Sequence, residues 1–151
     1  MPYVQWNSSL NTGIDIIDTQ HRRIVDYINR LHDANERGDR DEIDQVFEEL
    51  IDYAVSHFMY EENLQEKAGY GFVVAHQRAH QAFTRKVEEY KERYDAGDHR
   101  VTEQVSFMLR AWLLNHIQQE DAAYVLTVKR YLGTEEKTGW WERTKKRLVG
   151  G

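Results

Sequence analysis

Apolar residues recur along most of the chain at intervals of three and four, the spacing that gathers them on one face of an α-helix. The first run is Ile24, Val25, Ile28 and Leu31, with His21 and His32 in the same register. Asp18 or Thr19 stands where an N-cap is needed, and Asn35 to Gly38 ends the run. The second stripe, opened by Asp39 or Asp41, reads Ile43, Val46, Phe47, Leu50, Ile51 and Ala54, and Gly69 stops it. A third extends from about Val73 to Ala96 through Phe83, Val87, Tyr90 and Tyr94, with Gly97 closing it. The fourth starts near Val101 or Thr102, carries Val105, Met108, Leu109, Trp112, Leu113 and Ile117, and continues to Tyr131. Long helices with short connections predict an all-α fold, an up-down-up-down antiparallel four-helix bundle. Residues 1–17 are mixed in character and predict an extended arm that Trp6, Ile14, Ile16 and Ile17 lay across the bundle. Residues 1–132 thus make the bundle with its arm, and residues 133–151 a C-terminal extension.

The same stripes carry chemistry. His57 and Glu61 follow Ala54 on the second stripe, and His76 and His80 repeat that spacing of four on the third. Between the pairs, Ala68 to Gly71 makes a glycine-punctuated reversal. His21 lies on the first stripe and His116 on the fourth. At about 1.5 Å of rise per residue, His21 falls roughly 5 Å from one end of the bundle, His57 and Glu61 roughly 9–15 Å, His76 and His80 roughly 6–12 Å, and His116 with its acid roughly 15–22 Å. All of them share one end. A single histidine on an apolar face is more often a core residue than a ligand, but five histidines and two carboxylates in one buried layer are expensive without a metal ion to take their lone pairs. His32 and His99 lie off this layer and read as surface or boundary residues. The fourth helix leaves one alternative open. Glu120, four after His116, is aligned with it, whereas Asp121 is five after, about 140° round an ideal helix, and faces inward only through a π-type turn. Periodicity alone favours Glu120.

Composition narrows the chemistry further. The 151 residues contain no cysteine, which removes disulfides and thiolate metal sites. A net charge of −6 with no broad basic face argues against nucleic-acid binding. The N-terminus lacks the pattern of a signal peptide and no apolar run approaches the roughly 20 residues of a membrane span, so a cytoplasmic location is expected. No histidine has a glutamate three residues before it, which disfavours a carboxylate-rich ferritin-like di-iron site. The His-Glu-x-x-His pattern of zinc proteases is absent as well.

Trp6-Asn7, Gly13, Asp18 to His21, His57-Phe58 with Glu61-Glu62, His76 with His80, and Trp112-Leu113 before His116-Ile117 and Asp121 together resemble the hemerythrin family, in its single-domain bacterial form. The resemblance covers about residues 3–131. It implies a non-haem di-iron centre with an oxo or hydroxo bridge. One iron is held by His76, His80 and His116, the other by His21 and His57, and Glu61 and Asp121 bridge them. It thereby selects Asp121 over Glu120. Zinc or manganese also suits the donor types. The iron with fewer histidines keeps an open position, which in the family binds O2. Phe58, Trp112, Leu113 and Ile117 stand where the family has its apolar oxygen pocket, and plain core packing accounts for them equally well. Glu62 lies about 100° round the helix from Glu61 and reads as a supporting or surface acid.

The resemblance implies reversible O2 binding for storage, delivery or scavenging, by a protein that is not an enzyme. Two alternatives stand beside it: an oxygen or redox sensor signalling to a partner, and peroxide or nitric oxide chemistry at the same irons. The extension bears on the choice. Trp140, Trp141, Thr144 and Leu148 could share one face of a short helix with Arg143, Lys145, Lys146 and Arg147 beside them. Residues 140–148 read either as a docking segment for a membrane surface or a partner such as an oxygen-using enzyme, or as a tail packed on the bundle through its tryptophans or left partly disordered.

Overall fold

The computed structural model describes residues 2–134, which form a four-helix bundle. Helix α1 spans Asp15–Arg37, α2 Arg40–Ala68, α3 Val73–Asp95 and α4 Val101–Asn115. Beyond α4 the same rod continues through a π-helical turn, His116–Asp121, and then an α-helical segment at residues 122–134. No strand occurs among the described residues, and none of their helices is long and apolar enough to cross a membrane. Trp140, Trp141, Arg143, Thr144, Lys145, Lys146, Arg147 and Leu148 lie outside the described residues.

The helix ends follow local chemistry. Gly38 and Gly69 close α1 and α2 in the left-handed conformation, at φ 67° and 74°, where a side chain is strained. The Asp39 carboxylate caps α2 by accepting the backbone N–H of Glu42. Helix α1 departs from expectation, since it begins at Asp15, ahead of Asp18. Asp18 instead reaches back from inside the first turn and accepts the N–H groups of Thr12 and Gly13 and the hydroxyl of Thr12, at 2.8, 3.1 and 2.7 Å. This carboxylate ties the arm to the helix that carries His21.

The arm does cross the bundle, with partly different anchors. Val4, Leu10, Ile14 and Ile17 are buried and Trp6 packs against the core, but Ile16 is 44% exposed because α1 turns it outward. Asn29 clasps the arm, accepting from Val4 N at 2.7 Å and donating to Val4 O at 2.9 Å.

Two apolar clusters fill the interior. The larger takes Ile24, Ile28, Phe47, Leu50, Phe83, Leu109 and their neighbours, and the smaller gathers Ile14, Ile17, Leu64, Tyr124 and Val128. Along α1, Ile17 belongs to the smaller cluster and Ile24 to the larger, with His21 between them. Along α2, Ala54 and Phe58 belong to the larger and Leu64 to the smaller, with Glu61 between. A polar layer therefore separates the two clusters.

Candidate metal centre

Each helix delivers donors to that layer because the donors occupy the same stripes as the core residues. His21, His57, Glu61, His76, His80, His116 and Asp121 are all buried. The structure brings together all seven of the residues that the resemblance singles out. His32 stays apart, half-buried and stacked on Tyr3, and His99 is exposed.

Glu61 and Asp121 each divide their two oxygens between two sets of histidines. Glu61 Oε2 lies 2.6 Å from His57 Nε2 and 3.7 Å from His21 Nε2, while its Oε1 lies 3.0 Å from His76 Nε2 and 3.8 Å from His80 Nε2. Asp121 Oδ2 is 3.0 Å from His21 Nε2, and its Oδ1 is 3.0 Å from His116 Nε2 and 3.2 Å from His76 Nε2. Several of these pairs are close yet badly aimed. His21 Nε2, His57 Nε2, Glu61 Oε2 and both Asp121 oxygens are buried with no hydrogen-bond partner. His80 Nε2 and His116 Nε2 face each other at 3.1 Å. Buried polar groups ordinarily find partners, so lone pairs that converge without pairing fit a cation placed among them. Donor atoms fall into two sets close enough to share one ion each: Glu61, His76, His80, His116 and Asp121, and His21, His57 and Glu61. The residues present fit a pair of metal ions.

The π turn decides which acid enters the layer. With its wider turn, Asp121 is fully buried five residues after His116. Glu120 sits at the rim, its side chain 41% exposed, and accepts a hydrogen bond from His116 Nδ1.

Charges in the layer act on one another. Burial alone lowers an imidazole pKa and raises that of a carboxyl. At His21 and His76 burial is outweighed by Asp121 and Glu61, and each pKa rises to about 9. At His80 burial prevails over Glu61, helped by the neighbouring His116 and His76, and the pKa falls to about 3. Burial and Glu61 push the Asp121 carboxyl upward, but His116, His21 and His76 hold it at about 2. Against burial, His57, His21 and His76 keep Glu61 well below the ordinary carboxylate range.

Aromatic rings brace the imidazoles. Phe58 stacks on His80 at 3.9 Å between centroids and Trp112 on His116 at 4.3 Å, with Phe83 stacked on Trp112 at 3.7 Å. Phe58, Leu113 and Ile117 are buried and Trp112 is half-buried. Sequence reasoning missed three residues at the layer. Gln20 accepts from His57 Nδ1 at 2.7 Å, and Gln65 and Tyr124 are fully buried with side-chain polar atoms unpartnered. Gln65 stands four after Glu61 and Tyr124 three after Asp121, so helical spacing was the available signal.

A family model, the hemerythrin HHE cation binding domain, matches residues 12–126, a span that contains all seven donors. The chain belongs to the hemerythrin family. Among hemerythrin relatives, the bacteriohemerythrin of Pseudomonas aeruginosa (strain LESB58) is 44% identical over 154 aligned residues, covering 99% of this chain and 100% of the relative. The bacteriohemerythrin of Methylococcus capsulatus is 34% identical over 125 residues, covering 82% of this chain and 95% of its own. A crystal structure of wild-type hemerythrin superposes with a TM-score of 0.74 at 32% identity, covering 83% of this chain and 98% of that one.

Proposed function

We propose that this chain binds O2 reversibly at a non-haem di-iron centre, for storage, delivery or scavenging of oxygen. The observation that carries the reading is the division of the Glu61 and Asp121 oxygens between a three-histidine and a two-histidine set. His76, His80 and His116 would hold one iron and His21 and His57 the other, with Glu61 and Asp121 placed between the two sets of histidines. Ferrous iron held there would supply the electrons that O2 takes on binding and returns on release.

The protein does the rest. Carboxylate and imidazole donors suit iron. An ion in the two-histidine set would have fewer protein donors than its neighbour, which would suit a diatomic ligand. Phe58, Trp112, Leu113 and Ile117 put apolar surface beside the layer, with Phe58 on His80 and Trp112 on His116, and such surface keeps out the water and protons that promote irreversible oxidation. Binding of this kind requires no catalytic base, consistent with a carrier rather than an enzyme.

The test is anaerobic loading with ferrous iron, a count of iron per chain, titration with O2, and then removal of O2. Two irons per chain, one for each donor set, and a charge-transfer band that fades on deoxygenation and returns on re-oxygenation are expected. A one-way passage to the ferric form refutes the carrier and points to sensing or peroxide chemistry.

A further inference from the structure

The two donor sets differ in what stands behind them. The His80 ring turns Nδ1 away from the layer and donates it to the Glu62 carboxylate at 2.9 Å. His116 Nδ1 likewise donates to the Glu120 carboxylate. In the other set, His57 Nδ1 donates to Gln20 Oε1 at 2.7 Å, a neutral amide, and His21 Nδ1 is buried with no hydrogen-bond partner. Carboxylate and amide oxygens only accept, so these bonds place the proton on Nδ1 and leave Nε2 with its lone pair facing the layer. A carboxylate behind an imidazole does more than orient it. It lends negative charge and makes Nε2 a stronger donor, whereas an amide orients the ring alone.

Surface clefts reach the carboxylate-backed half. Glu62 and His80 line a surface cleft of about 400 Å³ between α2 and α3, with Met59 and Arg85 at its sides. Glu120 and His76 line a second cleft of about 350 Å³, beside Tyr70 and Phe72. Two openings therefore reach the three-histidine set, each edged by one of the backing carboxylates.

We propose that the two halves of the centre load in order: the His76–His80–His116 half takes the first metal ion and holds it more tightly, with Glu62 and Glu120 as its positioning residues. The inference rests on the metal-centre reading above and adds to it an order and two further residues. Donor count favours the same half, with three imidazoles against two. The substitutions below separate the part that belongs to the backing carboxylates. Glu62→Gln and Glu120→Gln keep an acceptor oxygen and remove its charge, and Gln20→Glu adds charge behind the other half.

The experiment is an anaerobic titration of the metal-free full chain with cobalt(II) at fixed pH, followed by the visible ligand-field bands and by calorimetry. The parent is expected to bind in two resolved steps. Glu62→Gln and Glu120→Gln should each weaken the first step by about 10- to 100-fold, shift its ligand-field bands, and leave the second step nearly unchanged. Gln20→Glu should tighten the second step and leave the first. Unchanged circular dichroism of the metal-free variants shows that folding is not the cause. Two equal steps in the parent overturn the loading order while the metal-centre reading stands. An unmoved first step in both glutamine variants removes Glu62 and Glu120 from the role. Failure of the parent to bind cobalt overturns the metal-centre reading itself.

Discussion

Asp121 belongs to the three-histidine donor set and its Oδ2 also lies 3.0 Å from His21 Nε2 of the other, so removing that carboxylate disturbs both sets at once. Asp121→Ala is expected to abolish the paired-iron optical spectrum. Glu120→Ala, which loses only a hydrogen bond behind His116, should retain it at saturating iron. A spectrum lost with Glu120 and kept without Asp121 reverses the assignment. Leu113 is 1% exposed and is one of the four residues proposed as the apolar wall. Leu113→Ala should cost about 2–5 kcal/mol of stability through the cavity it leaves, keep both irons, and hasten oxidation of the oxygenated protein to the ferric form. An unchanged oxidation rate in that variant moves the wall elsewhere. Protons report on the layer too. With pKa values raised to about 9, His21 and His76 are protonated at neutral pH in the metal-free chain. Their charged forms stabilise that chain fully below 6.5, the ordinary value for an unfolded histidine, and the benefit is lost as pH rises through about 9. Metal ions take neutral imidazole, so loading at pH 7 should release about two protons from this pair, and apparent affinity should climb towards pH 9. Calorimetry in buffers of different ionisation enthalpy counts them; uptake without release contradicts the raised values of His21 and His76.

At the scale of elements, the arm and the distal rod meet at Gly13. Its φ of 81° is left-handed, and a Cβ there would lie 2.5 Å from Lys129 Nζ. The lysine tip can swing away, but the backbone strain remains, so Gly13→Ala should destabilise the protein by about 1–2 kcal/mol. A denaturant melt without loss would show that the turn relaxes. Much of this level was legible in the sequence. Gly38, Gly69 and Asp39 mark helix boundaries through local backbone needs, and the stripes put His57, Glu61, His76 and His80 on inward faces. The start of α1 was not, because Asp18 caps by reaching backward from within the helix, a geometry that residue type alone leaves undetermined. The π turn was legible only as one of two alternatives: a regular helix aligns Glu120, and it takes an extra residue per turn to bury Asp121. The partners of the outer imidazole nitrogens were least legible. Gln20 and His57 stand 37 residues apart on different helices, so their meeting depends on how α1 and α2 pack.

At the scale of the molecule, a layer of ionisable groups lies between two apolar clusters, which share α1, α2 and the rod that begins as α4. Buried donors without partners disfavour the folded state until an ion satisfies them, so metal removal should lower the melting temperature markedly and metal addition should restore it. Melting curves that coincide with and without metal would detach the layer from stability. The layer also sets how the molecule comes apart. In the metal-free chain the smaller cluster, formed by Ile14, Ile17, Leu64, Tyr124 and Val128, is cut off from the larger and has few side chains of its own. Amides around these residues are expected to exchange with deuterium through partial opening, well before those of the larger cluster, and binding of the ions should bring both to a common rate. Loading thus changes the unit of cooperativity: a rod that frays from one end becomes a single body that opens all at once.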